Sequence, residues 1–218
     1  MPDDRPAAGR QGGEGEAAGG LQAGGGPGNA LSPGMVVCPG AASGAISPTA
    51  SVTAPAAGAA GGTVRAIMLH PDPVLRAVCA PAAALTAAQR RALVADLFAT
   101  LYHAGGRGLA APQIGVTRRV LVMDAGWKAG APSPLAMFDP RIMWRSPLAD
   151  EAEEMCLSIP GRPVRVRRAA AIRLAFADAD GAGREIALDG AAARIAQHEL
   201  DHLDGVLILD ALPAGPGA

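Results

Sequence analysis

The sequence predicts an α+β domain in which mostly antiparallel β-sheets pack around a central C-terminal helix, with a disordered tail in front. Three observations predict it. Apolar residues recur at helical spacing between residues 90 and 101, apolar, alternating or β-branched runs occur at 119–124 and within 163–188, and a second helical stretch at 191–203 contains Q-H-E-L-D-H-L. Asp-Gly pairs at 180–181 and 189–190 mark the breaks between runs.

Residues 1–62 are a run of Gly, Ala, Pro and Ser with scattered charges, and the first aromatic residue of the chain is Phe98. So little bulky apolar surface cannot offset the entropy of ordering the segment, which predicts disorder. The tail opens M-P-D-D-R, has no unbroken apolar core and is not Arg-rich, so neither secretion nor organelle import is expected. A true start at Met35 or Met68 is the alternative reading of the same stretch.

The folded domain is expected over residues 63–212, followed by a short tail, 213–218. A proline-rich loop, H-P-D-P-V-L-R at 70–76, comes first. Thr86 then reads as the N-cap of a helix whose apolar face carries Leu93, Val94, Leu97, Phe98 and Leu101. His103 near its end reads as a capping or surface residue, and Gly105, Gly106 and Gly108 stop the helix. Strands are predicted at 119–124, 163–168, 171–177 and 185–188.

Composition excludes some function classes. A net charge of -1 and a pI of 6.4 give no general footprint for nucleic acid. No stretch has the roughly 18 to 20 unbroken apolar residues of a membrane helix. Cys38, Cys79 and Cys156, without a secretory signal, suit a reducing compartment, so a cytoplasmic protein is expected.

The chemistry concentrates in Q-H-E-L-D-H-L-D-G at 197–205. Residues four apart on a helix share a face, so His198 and His202 can grip one metal ion with Glu199 beside it. A tetrahedral site needs one more protein ligand. The position where a metzincin pattern has its third His holds Ile208, and no Glu follows at the distance of a thermolysin-like pattern. The ligand is therefore expected upstream. Two upstream stretches stand out. G-R-G-L-A-A-P-Q-I-G at 106–115 has small residues that allow close backbone approach and ends near Gln113, whose amide can donate to an oxygen; a loop packed on a helix is its plainer reading. E-A-E-E-M-C-L-S-I-P-G at 151–161 places Cys156 after a run of carboxylates, although a free Cys is most often a small buried hydrophobe.

Taken together, G-R-G-L-A-A-P-Q, E-M-C-L-S and Q-H-E-L-D-H-L-D-G, in that order, resemble the motifs of the peptide deformylase family, G-x-G-L-A-A-x-Q, E-G-C-L-S and Q-H-E-x-D-H-L-x-G. The resemblance spans about residues 63–212. It implies that Cys156 joins His198 and His202 as metal ligand, that Glu199 is the general acid and base, and that the Gln113 amide and the Leu157 N–H bind the oxyanion. It further implies removal of formyl from the N-terminal formyl-methionine of nascent peptides, with Fe(II) as metal and zinc, nickel or cobalt as substitutes. Gly106, Arg107, Gly108 and Met155 would line the peptide cleft.

Met155 departs from the family, which usually has Gly there; a positive φ at this position would make Met cost roughly 1 kcal/mol. The expected result is altered peptide preference, and the alternative is a deformylase-like protein that binds metal and peptide with altered or lost activity. Arg162, Arg165, Arg167 and Arg168 read as a solvated strand face, with one of them a candidate to meet the peptide. Asp201 and Asp204 read either as partners that orient a His ring or as plain exposed acids. Transient ribosome contact is left open, and the extended C-terminal helix some family members use for docking is not expected here.

Overall fold

The computed structural model describes residues 61–212. Disorder predicted for 1–62 therefore falls almost wholly outside the described residues, as does the short tail after 212. A 3-10 turn, Pro73–Arg76, occupies the proline-rich loop, with the Asp72 carboxylate accepting from the Val74 N–H at 2.9 Å. Helix α1, Ala87–His103, starts where predicted, because Thr86 and Gln89 cap each other's backbone N–H groups at 3.3 and 2.9 Å. His103 is exposed at its end, as a surface residue should be.

Seven strands follow: β1 (Gly108–Ala110), β2 (Val120–Met123), β3 (Leu135–Arg145), β4 (Ala149–Cys156), β5 (Ile159–Ala169), β6 (Ala171–Ala177) and β7 (Gly183–Asp189). They form a five-stranded antiparallel sheet in the order β1-β2-β3-β6-β7 and a separate β4-β5 hairpin. The motif helix α2, Gly190–Leu203, follows β7 directly. The α+β prediction holds, while β1, β3 and β4 were not predicted as strands. β1 lies inside the stretch whose plainer reading was a loop; that stretch is a short strand followed by a 3-10 turn, Ala111–Ile114.

Why α2 is central follows from side-chain alternation. Successive strand residues point to opposite faces, and every residue of β2 is buried. Val120 and Val122 pack with Leu97, Phe98 and Leu101 of α1. Leu121 and Met123 face the other way, onto Ala193, Ala196, Leu200 and Leu203 of α2. Each such side chain removed from water contributes about 1.5–3 kcal/mol, so the sheet is held between its two helices from both faces. A third cluster, with Leu75, Cys156, Ile159, Val164, Val166, Leu207 and Ile208, fastens the β4-β5 hairpin. Gly205 ends α2 at φ +70, and a Cβ there would sit 2.5 Å from the Arg76 carbonyl oxygen.

Candidate active site

Three elements bring the predicted residues together. Helix α2 presents His198 and His202 one turn apart, their rings 5.1 Å between centroids. The end of β4 supplies Cys156, whose Sγ lies 3.1 Å from His202 Nε2. One donor atom from each of Cys156, His198 and His202 falls within 4.8 Å of the others, and all three residues are buried. Bonds of about 2.3 Å to sulfur and 2.0–2.1 Å to nitrogen place tetrahedral ligands closer together than that limit, so the trio fits a single cation. Burial, reinforced by the neighbouring His198, lowers the His202 pKa to about 3, which keeps its imidazole neutral as a ligand must be.

Glu199 lies beside the trio, 4 % exposed, and its Oε2 has no hydrogen-bond partner among the described residues. Burial pushes its carboxyl up to about 7, the range in which a group can both take and return a proton near neutrality. Gly108 makes room for it, since a Cβ at that position would run into the Glu199 carboxylate. This is the physical reason for the second glycine of G-R-G.

Gln113 is held from both ends. Its Oε1 accepts from the Ala110 N–H at 2.8 Å, and its Nε2 donates to Ser158 Oγ at 3.1 Å and faces Cys156 Sγ at 3.7 Å. These contacts fix which end of the carboxamide looks toward the metal trio. Leu157 sits in the turn between Cys156 and Ser158. A cleft of about 640 Å³ runs past these groups, lined by Gly106, Arg107 and Gly108 on one side and Met155, Cys156 and Leu157 on the other. All the predicted site residues except His202 line this cleft, and His202 lies behind it in the trio.

The residue that sequence reasoning missed is Glu154. Its Oε2 lies 2.9 Å from His198 Nδ1, which turns the other ring nitrogen toward Cys156 and His202. Arg168 reaches across the hairpin to donate to both Glu154 oxygens, at 2.6 and 2.8 Å, and Arg194 adds a third contact at 2.8 Å. Burial alone would raise the Glu154 pKa, but the hydrogen bonds from His198 and Arg168 overcome it and bring it to about 2. Burial likewise opposes charge on His198, yet its contacts with Cys156 and Glu154 raise its pKa.

Three expectations are corrected here. Arg168 is 7 % exposed and part of this network, so the basic cluster is not wholly a solvated face; strand alternation puts it on the inward face with Val164 and Val166, while Arg162, Arg165 and Arg167 stay exposed. Asp201 fits neither reading, since it touches no His ring but accepts from Arg168 at 2.8 Å, whereas Asp204 is the exposed acid of the second reading, paired with Arg119 at 2.5 Å. Among the described residues only Asp139 has a positive φ without being Gly, so Met155 carries no such strain. Charge opposition between E-A-E-E on β4 and R-V-R-R on β5 was visible, but register pairs Glu151 with Arg167 and Glu153 with Arg165, whereas Glu154 stands opposite Val164 and is reached diagonally by Arg168.

Residues 64–215 match the family described as polypeptide deformylase. The chain is 42% identical over 150 residues to a peptide deformylase of Methylocella silvestris, covering 67% of this chain and 76% of that one. It is 45% identical over 146 residues to one of Alkalilimnicola ehrlichii, covering 67% and 80%. In structure it is similar to the peptide deformylase of Thermotoga maritima, with a TM-score of 0.64 at 37% identity over 69% of this chain and 99% of that one. It is also similar to a class I type b peptide deformylase of Acinetobacter baumannii with Met-Ala-Ser bound, with a TM-score of 0.64 at 28% identity over 69% and 99%.

Proposed function

Because this chain belongs to the polypeptide deformylase family, we propose that Cys156, His198 and His202 hold its metal ion, that Glu199 moves the protons, and that Gln113 and Leu157 receive the oxyanion. The activity is hydrolysis of the formyl group from an N-terminal formyl-methionyl peptide, releasing formate. The family is metal-dependent, and our reading of the ion is Fe(II), with zinc, nickel or cobalt able to replace it. The observation that carries the reading is the burial of a cysteine sulfur and two imidazoles within ligand reach of one another, beside a carboxyl group with an unpartnered oxygen.

A cation in the trio supplies Lewis acidity and lowers the pKa of water from 15.7 toward 7. The remaining work falls to the chain. Glu199, raised to about 7, takes a proton from the attacking water and then delivers it to the departing amine nitrogen, which cannot leave as an anion. As water adds, the formyl oxygen gains negative charge, and the Gln113 amide and Leu157 N–H are the donors aimed at it. Such donors lower the barrier because they are fixed before charge appears. Glu154, anchored by Arg168, holds the His198 ring in the tautomer that ligation needs.

The peptide is read as lying along the cleft between Gly106–Arg107–Gly108 and Met155. Among the described residues no helix is long and apolar enough to cross a membrane. A cytoplasmic site of action, with transient ribosome contact, suits a substrate met at the N-terminus of new chains. The test is formate release from a formyl-Met-Ala-Ser peptide by protein purified anaerobically and loaded with iron. Wild type should turn over, and Glu199→Gln should keep its metal while losing at least a hundredfold in kcat. Equal turnover by the two proteins, or none by the wild type with metal bound, would sink the proposal.

A further inference from the structure

One loop beside the cleft has no part in the chemistry above. It runs from residue 124 to 133 and contains a 3-10 turn, Trp127–Ala129. At its base Asp124 is fully buried, with one oxygen accepting from the Tyr102 hydroxyl at 2.9 Å and the other from the N–H groups of Trp127 and Ser133, at 3.1 and 2.9 Å. The Asp124 N–H donates to the Arg107 carbonyl at 2.8 Å. Trp127 stands edge-on to Tyr102, 5.3 Å between ring centroids, and its indole N–H donates to the Gly106 carbonyl at 2.7 Å. So the loop is bolted to the glycine wall of the cleft through two successive carbonyls.

What this loop presents to the cleft is Lys128. Its ammonium lies 5.6 Å from the Trp127 ring centroid, and the residue lines the same cleft as Cys156 and Glu199. A lysine over an indole face gives up part of the freedom that a bare surface lysine keeps. The other cleft charges distribute unevenly. Arg194 is committed to Asp150 and Glu154. Arg107, exposed, is a second cation lining the cleft on the glycine side, and the exposed Glu153 lies on the Met155 side with no ion pair among the described residues. One wall of the cleft is therefore cationic.

We propose that Lys128, held in place by Trp127, is a specificity-determining residue that favours formyl-methionyl peptides carrying an acidic side chain just after the methionine. This rests on the deformylase reading, and it adds the substrate class. The ammonium and the peptide carboxylate meet at the cleft margin, where an ion pair contributes modestly and salt screens it. The expected preference is accordingly a few-fold in kcat/KM, expressed mainly in KM because the contact is present before and during the reaction.

The experiment measures kcat and KM of the metal-loaded enzyme on formyl-Met-Ala-Ser and on formyl-Met-Glu-Ala, formyl-Met-Ala-Glu and their Lys counterparts. Turnover of formyl-Met-Ala-Ser tests the deformylase reading by itself. Wild type should favour at least one Glu peptide over its Lys counterpart by about threefold or more at low salt, and the ratio should shrink in 0.5 M NaCl. Lys128→Glu should invert the ratio while formyl-Met-Ala-Ser stays within about twofold. Trp127→Phe, which keeps an aromatic face but loses the bond to Gly106, should weaken the ratio without abolishing turnover. A wild-type ratio near one, or a ratio untouched by Lys128→Glu, overturns the inference even if formate is released normally.

Discussion

The two walls of the cleft are built by different physics. On the β1 side, position is set largely by shape and by hydrogen bonds without ion pairs: Gly108 admits Glu199, Trp127 donates to the Gly106 carbonyl, and the Asp124 carboxylate is held by the Tyr102 hydroxyl and backbone N–H groups. On the β4-β5 side, position is set by charge, through Glu154, Arg168, Asp201 and Arg194 gathered behind His198. Gln113 bonds to both walls, through Ala110 on one and Ser158 on the other. The lesson is that the metal trio is aimed by a buried ionic lattice, whereas the substrate's path is left by what the other wall omits.

The largest effect should come from breaking the charged wall. Glu154→Ala would leave Arg168 and Arg194 with only their more exposed partners, Asp201 and Asp150, and removing one partner of a buried ion pair typically costs about 3–5 kcal/mol. Calorimetry should show Tm falling by on the order of 10 °C, with metal content reduced in parallel. The same carboxylate predicts an acid limit. Because its folded pKa is depressed to about 2, it contributes stability that is full above the unfolded carboxyl pKa of about 4.3 and is lost as pH falls toward 2. Wild type should therefore lose its advantage over Glu154→Gln across that window. A constant gap in Tm between them from pH 5 to 2.5 would contradict the ionic account.

Next in size is the residue that joins the walls. Removing a donor aimed at a developing oxyanion costs about 10²–10³ in kcat, so Gln113→Ala should fall in that range while KM changes little. Gly108→Ala probes the shape-built wall. Its Cβ would displace the Glu199 carboxylate, and a shift of about 1 Å in a catalytic group can cost around a hundredfold in kcat. Unlike Glu154→Ala, it should retain bound metal. If Gly108→Ala lost metal and Glu154→Ala kept it, the division of labour drawn above would be reversed.

How much of this was legible in the sequence differs between the walls in the same way. Thr86 with Gln89, the stretch 171–177 and the helix with His198 and His202 were readable because caps, alternation and i,i+4 spacing are local. The ligand Cys156 came only through resemblance, since nothing near it in the chain distinguishes a thiolate ligand from a buried thiol. β3 was missed because its far end, Met143 and Trp144 among arginines, exposes large apolar side chains and blurs the alternation. Arg168 was misjudged because, although alternation puts it on one face with Val164 and Val166, a buried guanidinium is credible only once its acceptors are known, and Glu154 and Asp201 reach it through tertiary structure. Trp127 and Lys128 lie in a loop whose role depends wholly on where Gly106 and Tyr102 stand.

The smallest expected effect concerns Met155, which is 67 % exposed at the β4 edge of the cleft, where the pairing of β4 with β5 slips between Glu154 and Cys156. Since its φ is not positive, Met155→Gly relieves no strain, and added backbone freedom should cost about 0.5–1 kcal/mol instead. Tm should therefore fall by a few degrees at most. Catalytic groups are untouched, so kcat on a small peptide such as formyl-Met-Ala-Ser should stay near wild type. The residue lines the cleft, and if the peptide lies there as proposed, losing its apolar surface should shift relative kcat/KM between peptides with large and small residues after methionine by less than about tenfold. A rise in Tm would mean that the strand before Cys156 is strained by Met after all. An unchanged peptide ranking would mean that this wall orients the metal ligands and leaves selection to the wall that carries Lys128.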